Sequence, residues 1–155
     1  SVDFTGTTFR GPVTADGARF QGLAWFRDCT FEAGADFSGA EFWHDARFDG
    51  SRFARDASFS RSEFRGTFVL DRIQVLSNLS MDRTTVTGPA SLEGAEVMGG
   101  FWCNGTRFQG RCNASGMEVH GRTWLRGTRI ADGPAGGDGL TALIGQIHAY
   151  GYLWN

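Results

Sequence analysis

Large apolar residues recur along the chain at fixed intervals instead of clustering in runs. The gaps between successive members alternate between five and six residues, so they form two interleaved series, each with a period of eleven. No insertion or deletion interrupts these grid positions from Phe4 to Ile130. One series is Phe9, Phe20, Phe31, Phe42, Phe53, Phe64, Val75, Val86, Val97, Phe108, Val119, Ile130, and the other is Phe4, Ala15, Phe26, Phe37, Phe48, Phe59, Leu70, Met81, Leu92, Cys103, Ala114, Leu125. Such a register predicts a solenoid, in which each repeat buries its apolar face only against its neighbours.

Small and polar residues complete each unit. The residue two places before a grid position is mostly small and the residue between them is mostly polar, as in Ala57-Ser58-Phe59. This period-2 pattern points the outer two residues inward and the middle one outward. Gly and other turn formers follow, so each unit is predicted to be a very short strand and a turn. A helix is excluded, because steps of five and six residues keep no single apolar stripe at 3.6 residues per turn.

Three units show the repeat in its fullest form: Ala18-Arg19-Phe20-Gln21-Gly22, Ala40-Glu41-Phe42 and Ala46-Arg47-Phe48-Asp49-Gly50. In these units the chain resembles the pentapeptide-repeat family, whose motif is a small residue, a polar residue, a central Leu or Phe, and two turn residues. The resemblance covers about residues 2 to 132. It implies an all-β solenoid, a right-handed quadrilateral β-helix of about six coils, each made of two eleven-residue periods.

The grid also predicts the core. Residues two periods apart stack on successive coils, so the N-terminal coils stack aromatic rings and the C-terminal coils stack mainly aliphatic side chains. The predicted aromatic core is Phe9, Phe20, Phe26, Phe31, Phe37, Phe42, Phe48, Phe53, Phe59, Phe64 and Phe108. Cys29, Cys103 and Cys112 also take inward positions. Without a Cys-x-x-Cys spacing, they are predicted to be buried, reduced thiols of a cytoplasmic protein rather than metal ligands.

The end of the chain leaves the grid. We expect the β-helix at residues 1–132, a Gly/Pro linker at 133–138 and a helix within 139–155, from about Leu140 to Leu153 with an N-cap at Asp138. Its apolar residues include Leu143, Ile144 and Ile147. We expect this helix to cover the last coil, because an open solenoid end exposes core and strand edges. The alternatives are a helix that joins two copies into a homodimer and a membrane-surface helix, although the segment carries no Arg. No stretch is long and apolar enough to span a membrane.

Catalytic chemistry is not indicated. His44, His120 and His148 lack a nucleophile or carboxylate at a spacing that implies a triad, and the Gly-rich stretches lack the phosphate-loop motif. We therefore expect no enzyme activity, no cofactor and no metal site. All fifteen basic residues are Arg, which suggests a bacterial source with a high-GC genome.

Two outward columns are the predicted protein-contact sites. Asp49, Asp71 and Glu93 form a carboxylate ladder in which solvated neighbours repel by about 1 kcal/mol, and a basic partner would relieve this repulsion. The alternative is a solvated face that tolerates the repulsion. Trp102 and Trp124 stack in the same way and suggest an apolar contact patch. The alternative is that a loop or the terminal helix folds over the two indoles.

Charge decides between two functions. Some pentapeptide-repeat proteins mimic duplex DNA and bind DNA gyrase, which the resemblance offers as the alternative function here, with gyrase or topoisomerase inhibition or quinolone resistance as the outcome. Duplex DNA carries one negative charge per about 1.7 Å, whereas this chain has a net charge of −2. Residues 28–63 are acidic and residues 101–130 are basic. We therefore expect a rigid protein-interaction or scaffold module with an unknown protein partner and no direct nucleic-acid binding.

Overall fold

The computed structural model describes residues 1–131 and 139–155. Each strand in it is two residues long. The strands are β1 (Val2–Asp3), β2 (Thr8–Phe9), β3 (Val13–Thr14), β4 (Arg19–Phe20), β5 (Ala24–Trp25), β6 (Thr30–Phe31), β7 (Ala35–Asp36), β8 (Glu41–Phe42), β9 (Ala46–Arg47), β10 (Arg52–Phe53), β11 (Ala57–Ser58), β12 (Glu63–Phe64), β13 (Phe68–Val69), β14 (Gln74–Val75), β15 (Leu79–Ser80), β16 (Thr85–Val86), β17 (Ala90–Ser91), β18 (Glu96–Val97), β19 (Phe101–Trp102), β20 (Arg107–Phe108), β21 (Cys112–Asn113), β22 (Glu118–Val119), β23 (Thr123–Trp124), β24 (Arg129–Ile130), β25 (His148–Ala149) and β26 (Leu153–Trp154). The helix α1 spans Gly139–Gln146.

Four parallel sheets run the length of the rod, one along each face. Through β24, every fourth strand belongs to the same sheet, so we name the sheets A, B, C and D after β1, β2, β3 and β4. Paired residues through β24 are 22 apart, as in Val2↔Ala24 and Arg107↔Arg129. The predicted β-solenoid of about six coils is therefore confirmed.

The grid side chains form one continuous core. Every grid residue from Phe26 to Leu125 is buried. Rings of successive coils stack in parallel, with centroids 4.6 Å apart for Phe31–Phe53 and for Phe42–Phe64. Grid residues of the first coil are only partly buried, and Phe4 is 39 % exposed. The predicted aromatic core is thus buried from Phe26 to Phe108, whereas its members Phe9 and Phe20 are partly buried at the N-terminal end of the rod.

Buried hydroxyl groups link the coils from inside. Ser62 and Thr84 occupy the small-residue positions before grid residues, and each donates a hydrogen bond to a carbonyl oxygen of the coil before it, over 2.7 Å in both cases. The Sγ of Cys29 lies 3.1 Å from the Phe4 carbonyl oxygen in the same way. These small polar residues satisfy their own donors, so the core can accommodate them without an unpaired polar group.

Two kinds of corner explain the alternation of five and six residues. The shorter steps, from sheet A to B and from C to D, place the second residue after the grid position at positive φ, for example Gly17 at +69° and Gly127 at +71°. At the longer steps, glycines of successive coils stack closely. A side chain on Gly88 would overlap the carbonyl group of Gly66 one coil earlier. Glycine is therefore favoured for different reasons at the two corners. Positive φ favours it at the shorter steps, and close approach of the backbone favours it at the longer steps.

The C-terminal segment differs from the prediction. The expected helix to Leu153 is wrong, because α1 ends at Gln146 and the chain then returns to the solenoid as β25 and β26. β25 pairs with β22 and β26 with β23, with an offset of 30 residues instead of 22. Strand pairing there satisfies backbone groups such as the Leu125 N–H, which donates to the Trp154 carbonyl over 2.6 Å. Asp138 and the linker expected at 133–138 lie outside the described residues.

The helix itself covers the last coil as expected. It packs against β24 and β21, the last strands of sheets D and A, while β25 and β26 extend the other two sheets. Leu143 and Ile147 are buried, and Ile144 is partly buried. Gln146 Oε1 accepts a hydrogen bond of 2.8 Å from the Ala114 N–H. Within the described ranges, no helix is both long and apolar enough to cross a bilayer.

Candidate functional site

An aromatic column runs along the outward face of sheet C. Trp102, Trp124 and Trp154 lie in register on β19, β23 and β26. The Trp124 and Trp154 rings stack with centroids 4.0 Å apart, and Trp102 folds over Gly100. Tyr152, 74 % exposed, lies against Trp154 with a centroid separation of 5.6 Å. The terminal segment therefore extends the predicted tryptophan pair with a third indole, which covers one ring face of Trp124.

The carboxylate ladder carries less unpaired negative charge than its sequence spacing suggests. Asp49 is 3 % exposed, and Arg47 donates two hydrogen bonds of 3.0 Å to it, one to each carboxylate oxygen. Arg27 Nε lies 3.4 Å from Asp49 Oδ2 without hydrogen-bond geometry. The charge of Asp49 is therefore neutralised within the chain. Arg47 was not predicted as a partner, because it lies two residues from Asp49 on the same outward face and not one coil away.

The other two members of the ladder differ from Asp49. Asp71 Oδ1 accepts hydrogen bonds from the Ser91 hydroxyl and from the Glu93 N–H, the latter over 3.0 Å. Glu93 is exposed. A basic partner would therefore meet Glu93 and the remaining oxygen of Asp71, and contact at this ladder stays a prediction.

Arginine also balances the carboxylates on sheet D. Glu41 lies 2.7 Å from Arg19 Nε and 3.7 Å from Arg65 Nη2. Arg65 also contacts Glu63 over 3.1 Å and lies over the Trp43 ring. The stacked Glu41 and Glu63 thus belong to an alternating network of charges, and the acidic N-terminal half of the sequence does not form a uniformly acidic face here.

A groove lies at the corner where sheet C turns into sheet D. We call it the arginine groove. It encloses about 480 Å³ and is lined by Ser60, Arg61, Asp82, Arg83, Asn104, Gly105 and Arg126. Among the described residues, no carboxylate forms an ion pair with Arg61, Arg83 or Arg126. Sequence reasoning recognised only that the C-terminal half is basic. In the sequence, Arg61 and Arg83 mark this groove, because the equivalent position in the other coils is Gly.

Among the described residues, one group has the chemistry of a metal site. Ligand atoms of Glu96, Glu118 and His120 all lie within 4.8 Å of one another on the outer side of sheet B. Carboxylate oxygens and an imidazole nitrogen are ligands that divalent transition metals accept. The His120 side chain is 34 % exposed, and its ring stacks on Tyr150 at 4.5 Å. No metal ligand was predicted from the sequence. The sequence does contain a signal for this group, since Glu96 and Glu118 are one coil apart and His120 follows Glu118 by two residues.

The cysteines are unsuited to chemistry at neutral pH. Cys29 and Cys103 are buried and free, and Cys112 is partly buried and free. Burial raises the pKa of the Cys103 thiol to about 12, and burial also raises the pKa of Cys29. A nucleophile or metal ligand needs the thiolate, which these environments disfavour.

Comparison with protein families agrees with this geometry. The family model described as pentapeptide repeats (9 copies) matches residues 1–41. The coils beyond residue 41 keep the same strand length and the same 22-residue register through β24. No curated protein and no solved structure matched the chain.

Proposed function

We propose that this chain is a non-enzymatic protein-interaction module. It is a pentapeptide-repeat protein, because the family model matches residues 1–41 and the later coils continue the same register. The rod presents a partner with a surface whose positions are set by the coil spacing. Four parallel sheets and a continuous core hold that surface. A preorganised surface loses little conformational entropy on binding, which favours recognition.

The aromatic column on sheet C carries the proposal. Trp and Tyr are the residue types that contribute most to protein–protein binding energy, because they bury a large apolar area with few rotatable bonds. The solenoid core does not need them, since Trp102, Trp124 and Trp154 lie on the outward side of their strands. Tyr152 and Arg122 border the column, and the Arg122 guanidinium lies 5.9 Å from the Trp154 ring centroid.

Variant-controlled capture tests the proposal. Wild-type protein is immobilised and exposed to a lysate of its own organism, beside Trp102→Ser and Trp124→Ser. Val69→Ser is the matched control, because Val69 takes the same outward strand position on sheet A. We expect a discrete protein to be retained by the wild type and the control and lost with the tryptophan variants, while melting curves remain cooperative. Equal retention by all four baits, or none, would contradict the proposal.

Mimicry of duplex DNA is the alternative, and the charge arrangement weighs against it. The carboxylates of Asp49 and Glu41 are paired with Arg, whereas a mimic needs unpaired negative charge along the rod. The assay is gyrase supercoiling with and without a quinolone. We expect no effect of the protein. Inhibition or protection that is abolished by Asp71→Arg would favour mimicry instead.

A further inference from the structure

We propose that the arginine groove binds the carboxylate side chains of an acidic, extended segment of the partner protein. The groove carries three guanidinium groups against the single carboxylate of Asp82. This inference rests on the proposed function and adds the chemistry of the partner.

The backbone at two of these arginines is the first support. Arg61 and Arg83 have φ values of +57° and +56°, a region that disfavours residues with a Cβ atom. The same position in the other coils is Gly17, Gly39, Gly105 and Gly127, all at positive φ. Glycine would satisfy the turn without strain, so the turn itself does not account for arginine. Residues with this strain often occur at binding sites. Asp28 and Arg72 share it at the corner after sheet A, so the groove is distinguished by its three neighbouring arginines.

The arrangement of the side chains is the second support. The Cγ atom of Arg83 lies 3.6 Å from the position that a Cβ of Gly105 would take, so the Arg83 side chain leans over the following coil. Arg126 lines the same groove one coil further on, and Arg61 lines it one coil before Arg83. With coils about 4.8 Å apart, the three cations span about 14 Å, the length of roughly four extended residues.

The remaining polar groups of the groove already serve the fold. Asp82 Oδ1 accepts the Asn104 N–H over 2.7 Å, and Asn104 Oδ1 accepts the Arg126 N–H over 3.0 Å. Ser60 shares a hydrogen bond of 2.6 Å with Ser80. The guanidinium groups are thus the charged donors left for a ligand, and Arg forms strong, paired hydrogen bonds with carboxylates.

A protein segment fits the groove better than a nucleic acid. Asp82 repels any anion placed next to it, and a peptide can present an uncharged residue there, whereas a nucleic acid carries a phosphate at every nucleotide. The aromatic column lies beside the groove, since Trp102 and Trp124 are two residues before Asn104 and Arg126 on the same outward side of sheet C. An acidic segment in the groove can place an apolar side chain on the column, which joins the two sites into one surface.

The test uses the full chain and a short fluorescein-labelled peptide of Glu and Asp residues around one Phe, titrated at low ionic strength and followed by fluorescence anisotropy. Arg83→Gly removes one guanidinium and also relieves the positive φ, so it is expected to fold at least as stably as the wild type. We expect it to bind the peptide about fivefold or more weakly. The same peptide with Gln and Asn in place of the acids is expected not to bind.

Arg72→Gly is the matched control. Arg72 also has positive φ, at +55°, and its Cγ lies 3.5 Å from the position of a Cβ on Gly94, but it belongs to the corner after sheet A. Its replacement makes the same change in charge and is expected to alter affinity by less than about twofold. Equal losses in Arg72→Gly and Arg83→Gly, or no peptide binding, would overturn the assignment of the groove.

A single-stranded oligonucleotide of matched charge separates the two classes of polyanion. We expect it to bind more weakly than the peptide, and tighter binding would overturn the assignment to a protein segment. The tryptophan-dependent capture does not depend on any of these results, so a failure of the groove and a failure of the proposed function remain distinguishable.

Discussion

Replacing Phe53 by Ala tests the packing of the solenoid most sharply. Phe53 is fully buried, and its ring stacks on Phe31 with centroids 4.6 Å apart and planes 1° apart. On its other side lies Val75, its register partner in the next coil. Loss of the buried ring costs about 1.5–3 kcal/mol of transfer free energy and loss of the stacked pair about 0.5–1.5 kcal/mol more. Backbone hydrogen bonds hold the coils at their spacing and hinder collapse of the cavity, so we expect a total of about 3–5 kcal/mol.

Equilibrium urea unfolding followed by tryptophan fluorescence measures this cost. A destabilisation of that size lowers the melting temperature of a chain of this length by about 10 °C. Arg52→Ala is the matched control, because Arg52 precedes Phe53 on the same strand and is exposed, and we expect it to change stability by less than about 0.5 kcal/mol. A cost for Phe53→Ala below about 1.5 kcal/mol would refute the continuous stacked core.

Three further predictions concern the corners, the C-terminal end and the thiols. Arg83→Gly should stabilise the fold by about 0.5–1 kcal/mol in the same urea assay, because glycine adopts positive φ without strain, and unchanged or lower stability would contradict this. Deleting residues 139–155 uncovers Ala114 and Leu125 and should cause aggregation on size exclusion or a large fall in melting temperature, so a monodisperse truncation with unchanged melting would contradict the capping role. The raised pKa of Cys103 keeps its thiol neutral in the folded state, whereas the unfolded thiol ionises near pH 9. Stability from this group is therefore present below pH 9 and is lost as the pH rises toward 12. Urea unfolding curves give the free energy of unfolding at pH 7 and at about pH 10.5. Between these two pH values, we expect the wild type to lose about 2 kcal/mol more than Cys103→Ala, and equal losses would contradict this.

The repeat made the coil predictable from sequence. Burial of Phe48 or Val97 depends only on its place in a period that the neighbouring coils repeat, so local pattern and tertiary contact coincide. Phe101 takes a position that is usually small and Cys103 one that is usually large, and both are buried. This exchange keeps the core volume constant, so it was also predictable. Phe4 is the exception, since a residue of the first coil packs against one neighbouring coil only.

The C-terminal end was harder to predict because its period changes. Leu143 and Ile147 follow a helical spacing, which correctly gave a helix, but the same spacing suggested that it continues past Gln146. The sequence does hold the opposite signal: Gly121 and Trp124 recur as Gly151 and Trp154, three residues apart in both cases. A side chain on Gly151 would overlap the Gly121 carbonyl, which marks a solenoid corner.

The candidate site depends on contacts that spacing along a column does not reveal. The pairing of Asp49 with Arg47 arises between residues two apart on one outward face, so a search one coil apart could not find it. The arginine groove depends on the positive φ of Arg61 and Arg83, which the sequence shows only as two departures from a glycine column. Trp102 and Trp124 were predictable, because an apolar residue at an outward position is visible in the period-2 pattern itself.

Site-specific photo-crosslinking in cells of the source organism detects protein binding at the aromatic column itself. Benzoylphenylalanine replaces Tyr152, which borders the column, and in a second variant replaces Leu76, an apolar side chain directly after β14 that is 41 % exposed. We expect a discrete protein adduct from position 152 that is absent from position 76 and is lost when Trp124→Ser is added. No adduct at position 152, or the same adduct from both positions, would contradict it.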